Sequence, residues 1–180
     1  MDEILLNQII LNAKNAYDAE EFEQAAQWYD RASTRYLAQN DPLTAAEMTN
    51  NRSVSILRTG NAQNAFTIAK GTEQIFAQAG DIRRQAMALG NQAAALDSMN
   101  KCDDAIQYYQ QSNDLLKQVN EPVLRTCVLQ SLSGLYLRRR RYLDALLVME
   151  AALDIKERLS LRENILKKLL KVVSRMLGRS

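Results

Sequence analysis

Histidine is absent from the 180-residue chain, which removes the commonest general base and the commonest metal ligand together. The two cysteines, Cys102 and Cys127, are too few for a disulfide framework or for a structural zinc site of their own. The six glycines, at 60, 71, 80, 90, 134 and 178, are scattered, so no glycine-rich phosphate loop is present. There are only two prolines. No run of about 18 apolar residues exists that would span a bilayer as a helix. The start, Met1-Asp2-Glu3, is acidic, unlike the basic opening of a secretory signal. These absences predict a soluble cytoplasmic protein without cofactor or metal, and no catalytic constellation is visible.

What is present favours helix. Apolar residues make up 47 % of the chain, a globular share. Alanine, leucine and glutamine are abundant and helix breakers are few, so helices are expected throughout. The net charge of +2 hides an asymmetry. Residues 1–137 carry 11 basic and 16 acidic side chains, whereas residues 138–180 carry 12 and 5. The C-terminal end is therefore suited to an acidic partner or surface.

The chain repeats itself every forty residues. Ala25, Ala65, Ala105 and Ala145 form one column. Phe22, Ala62, Cys102 and Tyr142 lie three residues before it; Tyr29, Ala69, Tyr109 and Met149 lie four after; Ala32, Thr72, Ser112 and Ala152 lie seven after. Spacings of three, four and seven mark one helical face. A preceding helix in each unit carries the columns Ile9/Thr49/Leu89/Leu129, Ala13/Ser53/Ala93/Ser133 and Ala16/Ile56/Leu96/Tyr136. The small middle residue allows two helices to approach closely. Asn40, Gly80 and Asn120 tolerate the left-handed conformation that ends a helix, and Asp41, Asp81 and Glu121 follow as caps or first-turn acids. Ser160 shares that turn column, and the tight turn inside each unit falls near Glu20, Gly60, Asn100 and Arg140.

The pattern predicts nine helices in one domain. The first helices of the units cover about 3–19, 42–59, 82–99 and 122–139. The second cover about 22–39, 62–79, 102–119 and 142–158. A final helix covers about 161–177. The units run about 3–40, 41–80, 81–120 and 121–159, with a capping segment at 160–178. The second unit is the most degenerate, through Ala62 and Thr72.

This column pattern resembles the tetratricopeptide repeat over essentially the whole chain. The first unit carries Ala13, Ala16, Phe22, Ala25, Tyr29 and Ala32 against the family motif. The third carries Leu89, Ala93, Leu96, Cys102, Ala105, Tyr109 and Ser112. The family period is about 34 residues. Forty looks like the longer-helix variety seen in kinesin light chains, spindle-orientation adaptors and many bacterial regulators. The resemblance implies an all-α, right-handed superhelical array of antiparallel hairpins, an α-solenoid of four hairpins plus a cap. It implies a scaffold that binds a peptide or partner segment in a concave groove lined by the first helices of the units, and not an enzyme.

The groove positions that the resemblance implies are Ile10, Lys14 and Tyr17 in unit one, and Asn50, Asn51, Val54 and Arg58 in unit two. Unit three supplies Met87, Asn91, Ala94 and Asp97; unit four supplies Gln130, Ser131, Gly134 and Arg138. Asn51 and Asn91 share a column, and an asparagine amide can hold a peptide backbone through both donor and acceptor. The opposing reading makes these asparagines solvated or bonded between repeats. A chaperone-type carboxylate clamp is not expected, since its places hold Ile10, Lys14, Met87 and Asn91 and only Asn51 matches.

Two basic features lie beyond the groove. Arg138 to Arg141 make either a solvated turn partly paired with Asp144 or an anionic docking patch using Arg139, Arg140 and Arg141. The last helix opens on a Ser160–Glu163 capping box. Ile165, Leu169, Val172, Val173 and Met176 form its apolar face, widened by Leu166, Leu170 and Leu177. Lys167, Lys168, Lys171 and Arg175 lie opposite. Register places Leu169 with Ile9 and Val173 with Ala13, predicting that this face caps unit four. The alternative is peripheral contact with a membrane or a partner. Nucleic acid is not expected, because the basic stretch lacks interleaved aromatics.

Overall fold

The computed structural model describes residues 2–156 and 158–176. Among them are ten α-helices: α1 (Asp2–Asp18), α2 (Phe22–Ala38), α3 (Pro42–Arg58), α4 (Ala62–Ala69), α5 (Thr72–Gln78), α6 (Ile82–Ser98), α7 (Cys102–Gln118), α8 (Pro122–Arg138), α9 (Tyr142–Ile155) and α10 (Leu161–Met176). Leu177 and the end of the predicted capping segment lie outside the described residues. The helices form an α-solenoid. α1 packs on α2, α3 on α4 and α5, α6 on α7, α8 on α9, and α10 lies against α9.

A left-handed residue closes the chain every twenty positions. Glu20, Asn40, Gly60, Gly80, Asn100, Asn120 and Arg140 all have φ between 53° and 88°. In six turns the following N–H donates back to a carbonyl five residues earlier: Glu21 to Ala16, Asp41 to Tyr36, Asp81 to Phe76, Lys101 to Leu96, Glu121 to Leu116 and Arg141 to Tyr136. This bond satisfies a helix-end carbonyl that would otherwise be orphaned. Asp41 and Asp81 then accept from the N–H groups of Thr44 and Arg84 and cap the next helix.

The core follows the columns. Ala25, Ala65, Ala105 and Ala145 are completely buried, as are Ala13 and Ala93. Small side chains at these crossings let the paired helices pack closely, and larger ones fill the spaces beside them. Leu96, Tyr109, Leu132, Leu135 and Tyr136 cluster around Ala93, Ala105 and Ala145. Serine hydroxyls on the same faces donate to backbone carbonyls across the crossings: Ser33 to Ala45, Ser112 to Ala86 and Ser133 to Ala145. The buried hydroxyls therefore carry no desolvation debt.

Two expectations about the helices are corrected. The second helix of unit two is broken into α4 and α5 at Lys70 and Gly71, where Gly71 has φ of 92°. The Ala69 carbonyl left by the break accepts from Thr72 Oγ1 at 2.7 Å and Gln92 Nε2 at 3.4 Å. Glu73 accepts from the Gly71 N–H and, at 2.6 Å, from Gln92 Nε2. Gln92 is fully buried, so a side chain from α6 replaces the bonds that a continuous helix would have made.

The second correction concerns α10. Leu170 is its one buried residue among those described, while Leu169 is 59 % exposed and Val173 37 %. The seated face runs through Glu163, Lys167 and Leu170, with the partly exposed Leu166 at its edge beside Met149 and Leu153, turned away from the centre of the register-predicted one. Lys156 pairs with Glu163 at 2.6 Å and Asp154 with Lys167 at 2.7 Å. This ladder shows α10 running antiparallel to α9 and fixes its rotation.

Candidate groove on the first helices of the units

α3 packs beside α6 and α6 beside α8, so the first helices of units two to four form one continuous face. Three hollows lie along it. One of about 240 Å³ is lined by Glu47, Asn51, Met87 and Asn91, with Arg84 at its wall. The next, about 260 Å³, is lined by Met87, Asn91, Ala94, Cys127 and Ser131, with Tyr109 and Leu116 as its floor. A third, about 490 Å³, is lined by Val123, Cys127, Gln130 and Ile155. Met87 and Asn91 line both of the first two hollows and Cys127 both of the last two, so the three follow one another along the face.

The candidate asparagines differ in their surroundings. Asn50 is buried and its Oδ1 accepts from Asn91 Nδ2 at 3.3 Å, a bond between neighbouring units. Asn51 is half-buried, and its side-chain amide has no hydrogen-bond partner among the described residues. Val54 is half-buried. Arg58 stands over the Phe22 ring at 4.4 Å, which holds it toward α2. Asp97 and Arg138 join α6 to α8 through an ion pair, with Arg138 donating to Oδ1 at 2.6 Å. That bond holds the Arg138 guanidinium above its ordinary pKa. Gln130 and Ser131 are exposed. Met87, 37 % exposed, and exposed Cys127 are the groove's uncovered soft side chains.

The polar wall is tied down. Arg84 bridges Asp81 at 2.6 Å and Glu47 at 2.9 Å and lies 5.5 Å from the Phe76 ring centre. The Arg84 backbone N–H, then the guanidinium, hold the Asp81 carboxyl below its usual range. This links the caps and side chains of units two and three and stiffens the wall of the first hollow.

The remaining cations divide into paired and unpaired. Arg139 faces Asp103 at 3.6 Å, and Arg141 pairs with Asp144 at 2.8 Å while covering Tyr136. Lys167 and Lys171 both face Asp154. Arg140, Lys168 and Arg175 have no ion pair among the described residues. The capping box on α10 is closed, since the Ser160 N–H donates to Glu163 at 2.9 Å and the Glu163 N–H donates to Ser160 Oγ at 3.3 Å. Lys156, then Ser160, hold the Glu163 carboxyl at a pKa of about 2, below its usual 4.5. A depressed carboxylate stabilises above the ordinary pKa and ceases to do so as pH falls through the folded value. Between pH 4.5 and about 2, amides in the first turn of α10 should therefore lose protection before those of α6. Hydrogen exchange corrected for intrinsic rate measures this, and Glu163→Gln should remove the difference.

No group of three or more metal-ligating side chains is clustered among the described residues, and no helix there is long and apolar enough to cross a membrane. Repeated hairpins and capped turns define a tetratricopeptide-like helical-repeat scaffold. Within that class, the chain belongs to the soluble NSF attachment protein (SNAP) family, whose model matches residues 8–172. No curated protein matches it significantly. Among solved structures, BtubC (BKLC) from P. vanneervenii is similar, with a TM-score of 0.75 and 20 % identity over 98 % of this chain and 74 % of that one. That likeness is one of fold.

Proposed function

We propose that the chain is an adaptor that holds an extended segment of a partner protein along the face of α3, α6 and α8. The observation that supports this reading is the row of three neighbouring hollows that share Met87, Asn91 and Cys127 as lining. A row of hollows crossing three units suits a strand-like peptide better than a compact small molecule. Met87 offers an adaptable apolar contact, and Asn51 offers an unused donor and acceptor. The Asn91 amide, already committed to Asn50, retains its Oδ1 as an acceptor. The family designation names attachment to NSF, and a protein partner for this chain follows by analogy.

Affinity capture from native lysate with quantitative mass spectrometry tests the groove. Asn51→Ala combined with Met87→Arg should reduce the principal captured protein by about tenfold or more, the usual loss when a central contact is removed and a charge is put in its place. Leu37→Arg, at an exposed site on α2, should leave capture unchanged. Equal capture by both variants removes the groove from consideration.

A further inference from the structure

We infer that α10 is a docking helix for a lipid surface bearing anionic headgroups. Its rotation leaves Leu161, Ile165, Leu169, Val172 and Met176 in open solvent, at 78, 53, 59, 53 and 82 % exposure. The intervals of four, four, three and four place all five on a single seam. The seam runs the length of a 16-residue helix, about 24 Å at the usual rise. None of its members belongs to the face seated on α9. It is thus a second apolar face, additional to the one that closes the solenoid.

Charge complementarity selects the occupant. Lys168 and Arg175 flank one side of the seam and Arg162 the other. None of the three has an ion pair among the described residues, whereas Lys167 and Lys171 are engaged by Asp154. The antiparallel course of α10 carries Arg175 back toward the end of α9 that adjoins Arg140, which has no ion pair among the described residues. Apolar side chains bordered by free cations fit the boundary between acyl chains and anionic headgroups. A second copy of the helix is a poor occupant, because symmetric pairing through the seam would bring these cations against their counterparts. The inference is independent of the groove: it uses the outer side of the last helix and none of the residues of α3 or α6.

Flotation of the intact chain with phosphatidylcholine vesicles, with and without phosphatidylserine, is the test. Binding should require phosphatidylserine and weaken as salt is raised. Lys168→Gln with Arg175→Gln should weaken it by roughly thirtyfold, from the usual contribution of two basic side chains near an anionic surface. Leu169→Glu with Val172→Glu should abolish it. All four side chains are exposed, so both variants should retain wild-type helicity by circular dichroism, and Leu37→Glu should bind as wild type. Absence of flotation with phosphatidylserine, equal flotation on phosphatidylcholine alone, or undiminished flotation of Leu169→Glu with Val172→Glu overturns the inference. Concentration-dependent dimerisation lost in that variant, without vesicle binding, also overturns it in favour of a second copy.

Discussion

Phe76→Ala should lower the stability of the chain by about 3–5 kcal/mol, the range for truncating a buried aromatic side chain. Phe76 is 1 % exposed and packs with Ala46 and Ala88, with Leu43 at the edge of the cluster. Its neighbours are small, so the surroundings have little side-chain volume with which to close the cavity. The loss exceeds simple transfer energy for that reason. The ring also backs Arg84, whose bridges to Asp81 and Glu47 join units two and three. Urea unfolding followed by circular dichroism should show a lower midpoint. Ile75→Ala, at a site 36 % exposed, should cost much less. A loss below about 1.5 kcal/mol for Phe76→Ala would show that the site collapses around the missing ring.

The position of Phe76 shows why part of this unit escaped the sequence. The forty-residue register placed a continuous helix over 62–79. Its alanine column is correct, since Ala65 is fully buried. The break after Ala69 depends on a partner from another helix. One glycine inside a helical pattern is weak local evidence, because a helix tolerates it at modest cost. The break is sustained by Gln92, which is twenty-three residues from Ala69 along the chain and donates to its carbonyl. Hydrophobic periodicity does not record such polar pairings. The visible signals were Gly71 itself and a glutamine at a position where unit four has buried Leu132.

The turns were more legible because their cause is local. Asn40, Gly80 and Asn120 are residue types that accept positive φ, and they adopt it. Glu20 and Arg140 occupy the same conformation without that preference; only the twenty-residue spacing reveals them. The last helix was ambiguous for a different reason. Apolar residues cover almost half its circumference, so periodicity offers two faces of similar quality. Leu166 and Leu170 face the solenoid because Lys156 and Asp154 engage Glu163 and Lys167 beside them. For the groove, the resemblance to the tetratricopeptide pattern placed Asn51 and Asn91 in one column. It could not distinguish the amide left open at Asn51 from the Asn91 amide that donates to Asn50. Cys127 enters the sequence reading only in the cysteine count, although it lines two of the hollows.

Leu135→Ala should cost about 2–5 kcal/mol, and Leu137→Ala, two residues later on the same helix, less than about 0.5 kcal/mol. Leu135 is fully buried among Ala93, Ile106, Tyr109 and Tyr136, whereas Leu137 is 43 % exposed. Leu135 lies where α8 meets both the preceding hairpin and α9, so its truncation weakens the interface between units three and four. In a solenoid each unit is stabilised chiefly by its neighbours. The damage should therefore be uneven. Amides of α8, α9 and α10 should lose hydrogen-exchange protection first, while those of α1 and α2 should change little. Uniform loss across all units would instead mean that the four hairpins unfold as one cooperative body. Unequal loss would identify the C-terminal hairpin as a separable unit, joined to the rest through Leu135 and the Asp97–Arg138 pair.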